Sequence, residues 1–160
     1  MEGKIRVNGL EFKLPPKPKK KDILFSDLKK KDQKWTRTEL PDTLSEETAA
    51  SHSKFINKEF DRRKNGVWFM NNGKPTYITG EHYYYLNWCK LDIGYPEYRD
   101  RDRRFFIFWE ICKNDPECFG MVMVKHRREG ASYKGAAMLL HEITSRYNSH
   151  GGIISKTGVD

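Results

Sequence analysis

Phe119-Gly-Met-Val-Met-Val-Lys-His-Arg-Arg-Glu-Gly-Ala-Ser-Tyr-Lys134 is a short apolar run that breaks into a basic, glycine-containing loop and then into helix-forming sequence. Strand, loop, helix is the order a phosphate cradle requires. Met121–Val124 is apolar on both alternating faces and bounded by turn signals, which predicts a buried parallel strand. From Ser132 the period changes, and Met138, Leu139, Leu140 and Ile143 form an apolar stripe on a helix running to about Tyr147. A helix N-terminus directly after a parallel strand presents free backbone N–H groups and the positive end of a dipole, where phosphate oxygens bind. Against the phosphate-loop pattern G-x-x-x-x-G-K-[ST], Gly130 and Ser132 fit, while Lys125 stands in place of the first glycine and Ala131 in place of the lysine. Gly130 lets backbone approach phosphate closely, and the Ser132 hydroxyl is positioned to ligate a nucleotide-bound Mg²⁺. The missing cation would come from Lys125, Arg127 or Arg128. A basic loop on an ordinary α/β domain is the competing reading of the same residues.

Working outward, Asn148-Ser-His-Gly-Gly152 stops the helix and Gly152–Ser155 starts a second short strand, so residues 119–160 hold one βαβ unit. Two strands do not cover a sheet, which leaves this unit incomplete. Upstream, Arg99-Asp-Arg-Asp-Arg-Arg104 leads into a helix through Cys112, with Phe105, Phe108, Trp109 and Cys112 at core spacing. The arginines serve either as solvated helix surface or as phosphate contacts. Thr79 caps a helix from Glu81 to about Leu91 that carries Tyr83-Tyr-Tyr85. Rings this dense build core, and the functional alternative is a wall on which Tyr83 and Tyr84 stack a nucleotide base. Val67–Met70 and Thr76–Thr79 form a hairpin across a turn containing Asn72-Gly73. Thr43-x-x-Glu46 is a capping box for a helix to about Lys64 that buries Ala50, Phe55, Ile56 and Phe60.

The N-terminal residues 1–43 contain one further hairpin, Lys4–Lys13 around Asn8-Gly9, followed by Pro15-Pro-Lys-Pro-Lys-Lys-Lys21, which reads as a flexible, extended tether. Of a net charge of +8, +6 lies in residues 1–40. A global DNA-binding field therefore does not follow from composition, although a basic patch that touches nucleic acid or an acidic partner does. The chain of 160 residues is long enough for one domain, with residues 44–118 as a helix-hairpin-helix lead-in to the unit at 119–160. Cys89, Cys112 and Cys118 have neither C-x-x-C nor zinc-finger spacing, and are read as reduced thiols. No apolar run approaches the roughly 20 residues of a membrane span, and the N-terminus lacks a signal-peptide core, so the expectation is a soluble, intracellular protein with no membrane partner.

Residues 66–88, 92–106, Lys125-His-Arg-Arg-Glu-Gly-Ala-Ser132 and Gly151-Gly-Ile-Ile-Ser-Lys-Thr-Gly158 together resemble the N-terminal part of large terminase subunits, the DNA-packaging motors of tailed phages, most closely those of crAss-like phages. The resemblance covers roughly residues 50–160. It implies a deviant Walker A loop, K-x-R-x-x-G-x-[ST], whose four fixed positions are occupied by Lys125, Arg127, Gly130 and Ser132. It further implies an α/β, P-loop NTPase fold that binds ATP and Mg²⁺, and a motor that drives double-stranded viral DNA into a procapsid in the host cytoplasm. The implied partners are a portal protein and a small terminase subunit, with the motor subunits forming a homo-oligomeric ring. The Walker B acids and the nuclease acids of that family cannot be placed in these 160 residues, so the expectation is a truncated product that does not hydrolyse ATP at a useful rate alone. The alternative is a non-enzymatic basic module for nucleic-acid binding or capsid assembly.

Overall fold

In the computed structural model, which describes residues 3–127 and 129–153, the chain is mixed α and β: two small antiparallel hairpins and four α-helices. The first hairpin pairs β1 (Lys4–Val7) with β2 (Leu10–Lys13), and the second pairs β3 (Val67–Asn71) with β4 (Lys74–Ile78). Both turns are Asn-Gly with left-handed backbone at each residue, φ 49° and 85° at Asn8-Gly9 and 49° and 84° at Asn72-Gly73. That is the two-residue type I′ connection whose twist matches the strands it joins, as the sequence predicts.

The core lies where the second hairpin meets α2 (Gly80–Trp88) and α3 (Asp100–Asn114), around Phe69, Ile78, Tyr83, Leu86 and Phe106. β3 contributes Val67, Phe69 and Met70, so this strand is covered on more than one side. Thr79 ends β4 and caps α2, its hydroxyl accepting from the His82 N–H at 3.3 Å. On α3 the buried residues are Asp102, Phe106, Ile107 and Cys112, a face rotated from the expected Phe105, Phe108 and Trp109, which are only partly buried.

Three expectations are corrected. The helix predicted from Thr43 begins ten residues later, as α1 (Ser53–Asn65). Ser45 and Thr48 instead close a local turn: the Ser45 N–H donates to Thr48 Oγ1 at 2.9 Å, and Thr48 Oγ1 donates to the Thr43 carbonyl at 2.5 Å. Hydroxyls that capture backbone groups in this way compete with helix formation. The inner face of α1 is also polar, with Glu59 buried and Phe60 53% exposed.

The segment after β2 is packed rather than a free tether. Leu24 inserts beside β3, where its N–H donates to Trp68 O and its carbonyl accepts from Met70 N. Gln33 braces the hairpin turn: its Oε1 accepts from Gly73 N, its carbonyl accepts from Asn72 N, and its Nε2 donates to Leu28 O. Trp35 then stacks edge-on against Phe69 and Tyr83.

The third correction concerns Met121–Val124. It pairs with no strand among the described residues and is exposed, Val122 at 94% and Val124 at 97%. A parallel strand is stable only with neighbours and helices that cover it, and no described strand pairs with this segment. Of the second predicted strand, Gly152 and Ile153 lie outside regular structure, while Ile154 and Ser155 fall outside the described residues.

α4 (Ala131–Ser145) forms close to the expected limits but is turned relative to its apolar stripe. Its buried residues are Lys134, which reaches α3, and Ala137 and His141 on the side that meets α2, one residue per turn, while Leu140 and Ile143 are exposed at 50% and 39%. The inner face of the helix is thus mixed, Ala137 and Met138 packing on the core beside the polar Lys134 and His141, while the Leu140 and Ile143 part of the stripe faces outward.

Candidate functional sites at the two ends of helix α4

The loop before α4 carries the predicted phosphate contacts. Gly130 is the residue before the helix, with φ 69° and ψ 22°, the left-handed conformation in which glycine has no Cβ to strain. Its carbonyl accepts from Lys134 N at 3.1 Å, closing the first turn. No side chain caps this end, so the first N–H groups of α4, those of Ala131, Ser132 and Tyr133, have no intrahelical acceptor. Ser132 is exposed in the first turn, and Lys125 and Arg127 are exposed in the loop; Arg128 lies outside the described residues. Space is open around Gly130, since nothing lies within 4 Å of where a Cβ would stand. Backbone donors and a hydroxyl thus stand at one end of a helix, with two exposed cations in the loop that precedes it in the chain, residue types a phosphate group takes.

Neighbouring groups hold that end in place. Arg101 of α3 pairs with Glu129 at 3.2 Å, and the Tyr133 hydroxyl donates to Asp92 at 2.7 Å. One turn further, Lys134 donates to Asp102 at 2.7 Å, both nearly buried, with the ammonium 5.0 Å from the centre of the Phe105 ring. This pair fixes the rotation of α4 on α3. The arginine-rich start of α3 divides its work. Arg101 reaches the loop's own acid, and Arg103 donates to the Tyr77 carbonyl at 2.7 Å.

The aromatic wall is not available to a base. Tyr83 is fully buried and its hydroxyl donates to Glu59, which Arg62 also contacts. Burial pushes the Tyr83 phenol up to about 12, with the Glu59 bond adding to the rise. Tyr84 is half-buried, with the Arg63 guanidinium 4.7 Å above its ring and the His141 ring 5.3 Å away, far along α4 from Gly130. Tyr83 therefore serves as core, and Tyr84 as packing between α1, α2 and α4.

At the far end of α4 lies a second cluster that sequence reasoning did not single out. Lys113 of α3 projects among Glu81 of α2, Glu110 at 3.3 Å and Glu142 at 3.2 Å, and is bonded directly to Glu81. Arg146 also reaches Glu142, at 3.1 Å. Burial raises the Glu81 carboxyl to about 7; Lys113 opposes the rise and Glu110 adds to it. Burial by itself would lower the Lys113 ammonium, but the three carboxylates outweigh it and hold the lysine above its ordinary value. His141 completes the group, its Nδ1 4.0 Å from Glu81 Oε1. Glu81, Glu110, Lys113, His141 and Glu142 come from three helices, and Arg146 follows the last of them. The only local traces in the sequence are Glu110-x-x-Lys113 and the neighbouring His141-Glu142, which read as ordinary helix surface.

These side chains border a cavity of about 430 Å³ between the C-terminal end of α1, the start of α2 and α4. The elements meet at one carbonyl, Arg63 O. A Cβ on Gly80 would stand 1.9 Å from it, and the His141 ring nitrogen Nε2 lies 3.0 Å from it. No helix among the described residues is long and apolar enough to cross a membrane. In comparisons with known proteins, no family model matches the chain, and no curated protein or solved structure matches it significantly.

Proposed function

We propose that this chain is a nucleotide-binding part of a phage DNA-packaging motor of the large-terminase type, with a P-loop that cradles the phosphates of ATP. One observation carries the reading: Lys125-x-Arg127-x-x-Gly130-x-Ser132 ends in a left-handed glycine directly before an uncapped helix, with the serine exposed in the first turn. In this reading Gly130 and the N–H groups of Ala131 and Ser132 receive phosphate oxygens. The Ser132 hydroxyl ligates Mg²⁺, and Lys125, Arg127 and Arg128 supply the positive charge that the family's deviant loop moves away from the position of Ala131. ATP with Mg²⁺ would bring the phosphoryl group whose transfer drives such motors.

The exposed apolar residues Val122, Met123 and Val124 support the same proposal, because a parallel sheet joining this strand would cover them. Double-stranded viral DNA, a portal protein, a small terminase subunit and a ring of like subunits are the partners that follow, in the host cytoplasm and on the procapsid. Calorimetric titration of the intact chain with ATP, with and without Mg²⁺, tests the cradle. Mg²⁺-dependent binding that Gly130→Val removes supports it.

A second reading, a non-enzymatic basic module, has its own support. Lys17, Lys19–Lys21, Lys29–Lys31 and Lys34 are all exposed on a segment packed against the second hairpin, which presents a fixed basic surface rather than a loose tail. Duplex binding that falls steeply with salt and with removal of these lysines, but ignores Gly130→Val, would favour it.

A further inference from the structure

We propose that Glu81, His141 and Glu142 form a binding site for a divalent transition-metal ion, distinct from the phosphate loop and built into the junction of α2 and α4. One ligand atom from each of the three lies within 4.8 Å of the others. The histidine is the informative member. Its Nε2 lies 3.0 Å from the Arg63 carbonyl, which only accepts, so Nε2 carries the proton. The opposite nitrogen, Nδ1, then holds a lone pair, is buried and has no hydrogen-bond partner. In the neutral imidazole this lone pair faces the cluster.

Facing it at 4.0 Å is Glu81 Oε1, a second acceptor on a residue that is 2% exposed. Two buried acceptors turned toward each other are satisfied by a proton held between them or by a metal ion, and the metal ion is the occupant proposed. A backbone carbonyl that takes the far N–H of a histidine and fixes its tautomer is the usual outer support of a metal-binding imidazole. Gly80 lets α2 approach that same carbonyl, so the helix carrying Glu81 and the ring of His141 are referenced to one atom.

Lys113 is the resident cation: its ammonium donates to Glu81 and Glu142 and pairs with Glu110 at 3.3 Å, while His141 Nδ1 is left without a partner. Arg63, Lys64 and Arg146 also border the cavity, so a bound ion would have to compete with these cations as well as with Lys113. A divalent ion placed between Glu81, His141 and Glu142 would displace Lys113 toward Glu110, a move its flexible stem permits. One imidazole and two carboxylates suit Zn²⁺, Co²⁺ or Mn²⁺ better than Mg²⁺ or Ca²⁺, with water completing the shell. The cavity beside the cluster gives the ion a route in.

The test is a titration of the intact chain with Zn²⁺ against a chromophoric chelator, paired with Co²⁺ absorption spectroscopy. The expected result is one equivalent bound through nitrogen and oxygen, weakened at least ~10-fold in His141→Ala and in Glu142→Gln, and unchanged in His126→Ala. Glu142 is partly exposed, so its variant remains informative if loss of His141 disturbs folding. Lys113→Met removes the competing ammonium and is expected to tighten binding. The proposal is overturned by absence of stoichiometric binding, by affinity indifferent to both ligand variants, or by a Co²⁺ spectrum dominated by thiolate, which would place the ion on the cysteines.

Discussion

Replacing Asp102 with Ala probes the contact that sets how α4 lies on the rest of the protein. Asp102 and Lys134 are 5% and 4% exposed, and 2.7 Å separates their charges. Removing the aspartate leaves an ammonium with no carboxylate partner in a site lined by Phe105 and closed to water, and breaking a buried pair in this way costs about 3–5 kcal/mol. For a domain whose whole stability is about 5–15 kcal/mol, that is a large fraction. Lys134→Met should cost a similar amount, since it strands the carboxylate instead. The double variant Asp102→Ala, Lys134→Met removes both charges, so its loss should fall well short of the sum of the two single losses. Urea unfolding of the four proteins closes the cycle. Single variants that each lose less than 1 kcal/mol, or a double variant whose loss is the sum of the two, would refute the claim that the pair is buried and mutually dependent.

Two further outcomes follow from the packing. Gly80→Ala forces a methyl against the Arg63 carbonyl, where backbone must move, and should lower stability by about 1–3 kcal/mol in thermal or urea unfolding. His82 is fully buried between the Tyr98 and Phe106 rings with neither ring nitrogen bonded, and burial lowers its pKa from 6.5 to about 3, with Arg103 and Lys134 adding to the fall. Between those values the unfolded chain takes up a proton that the folded chain refuses. Stability from this residue is therefore complete above pH 6.5 and declines as pH falls, by roughly 3 kcal/mol at pH 4.5. His82→Phe, which keeps a ring in the stack, should flatten the acid limb of a stability-against-pH curve; an unchanged limb would show that other groups govern it.

Local rules made half of this molecule legible. Both Asn-Gly turns, the Thr79 cap and the span of α4 are set by residues within a few positions of one another, and they stand where the sequence places them. The failures share a cause: which face of a helix turns inward is decided by its neighbours. Of the apolar stripe Met138, Leu139, Leu140 and Ile143 on α4, Met138 packs on the core while Leu140 and Ile143 face out, because Asp102 and the Arg63 carbonyl, 32 and 78 residues away in the chain, offer Lys134 and His141 partners on the inner face. The same holds for α1, where Glu59 turns in to meet Arg62 and Tyr83.

The basic N-terminal segment reads as a tether because its prolines and like charges exclude regular structure. The single Leu24 bridge and the Gln33 side chain that hold it cannot be inferred from composition. Of the candidate sites, the phosphate loop was visible as a pattern, since its donors are consecutive. The Glu81–His141–Glu142 cluster was not, since its members meet only when α2 and α4 pack.

The central claim rests on the loop between Lys125 and Ser132, and it is tested most directly by Mg²⁺-dependent ATP binding to the intact chain, compared with Gly130→Val and Ser132→Ala. A bound nucleotide that is lost in Gly130→Val, and that no longer responds to Mg²⁺ in Ser132→Ala, is the result expected of a phosphate cradle. Absence of ATP binding by the parent chain, or binding that neither substitution alters, would contradict it.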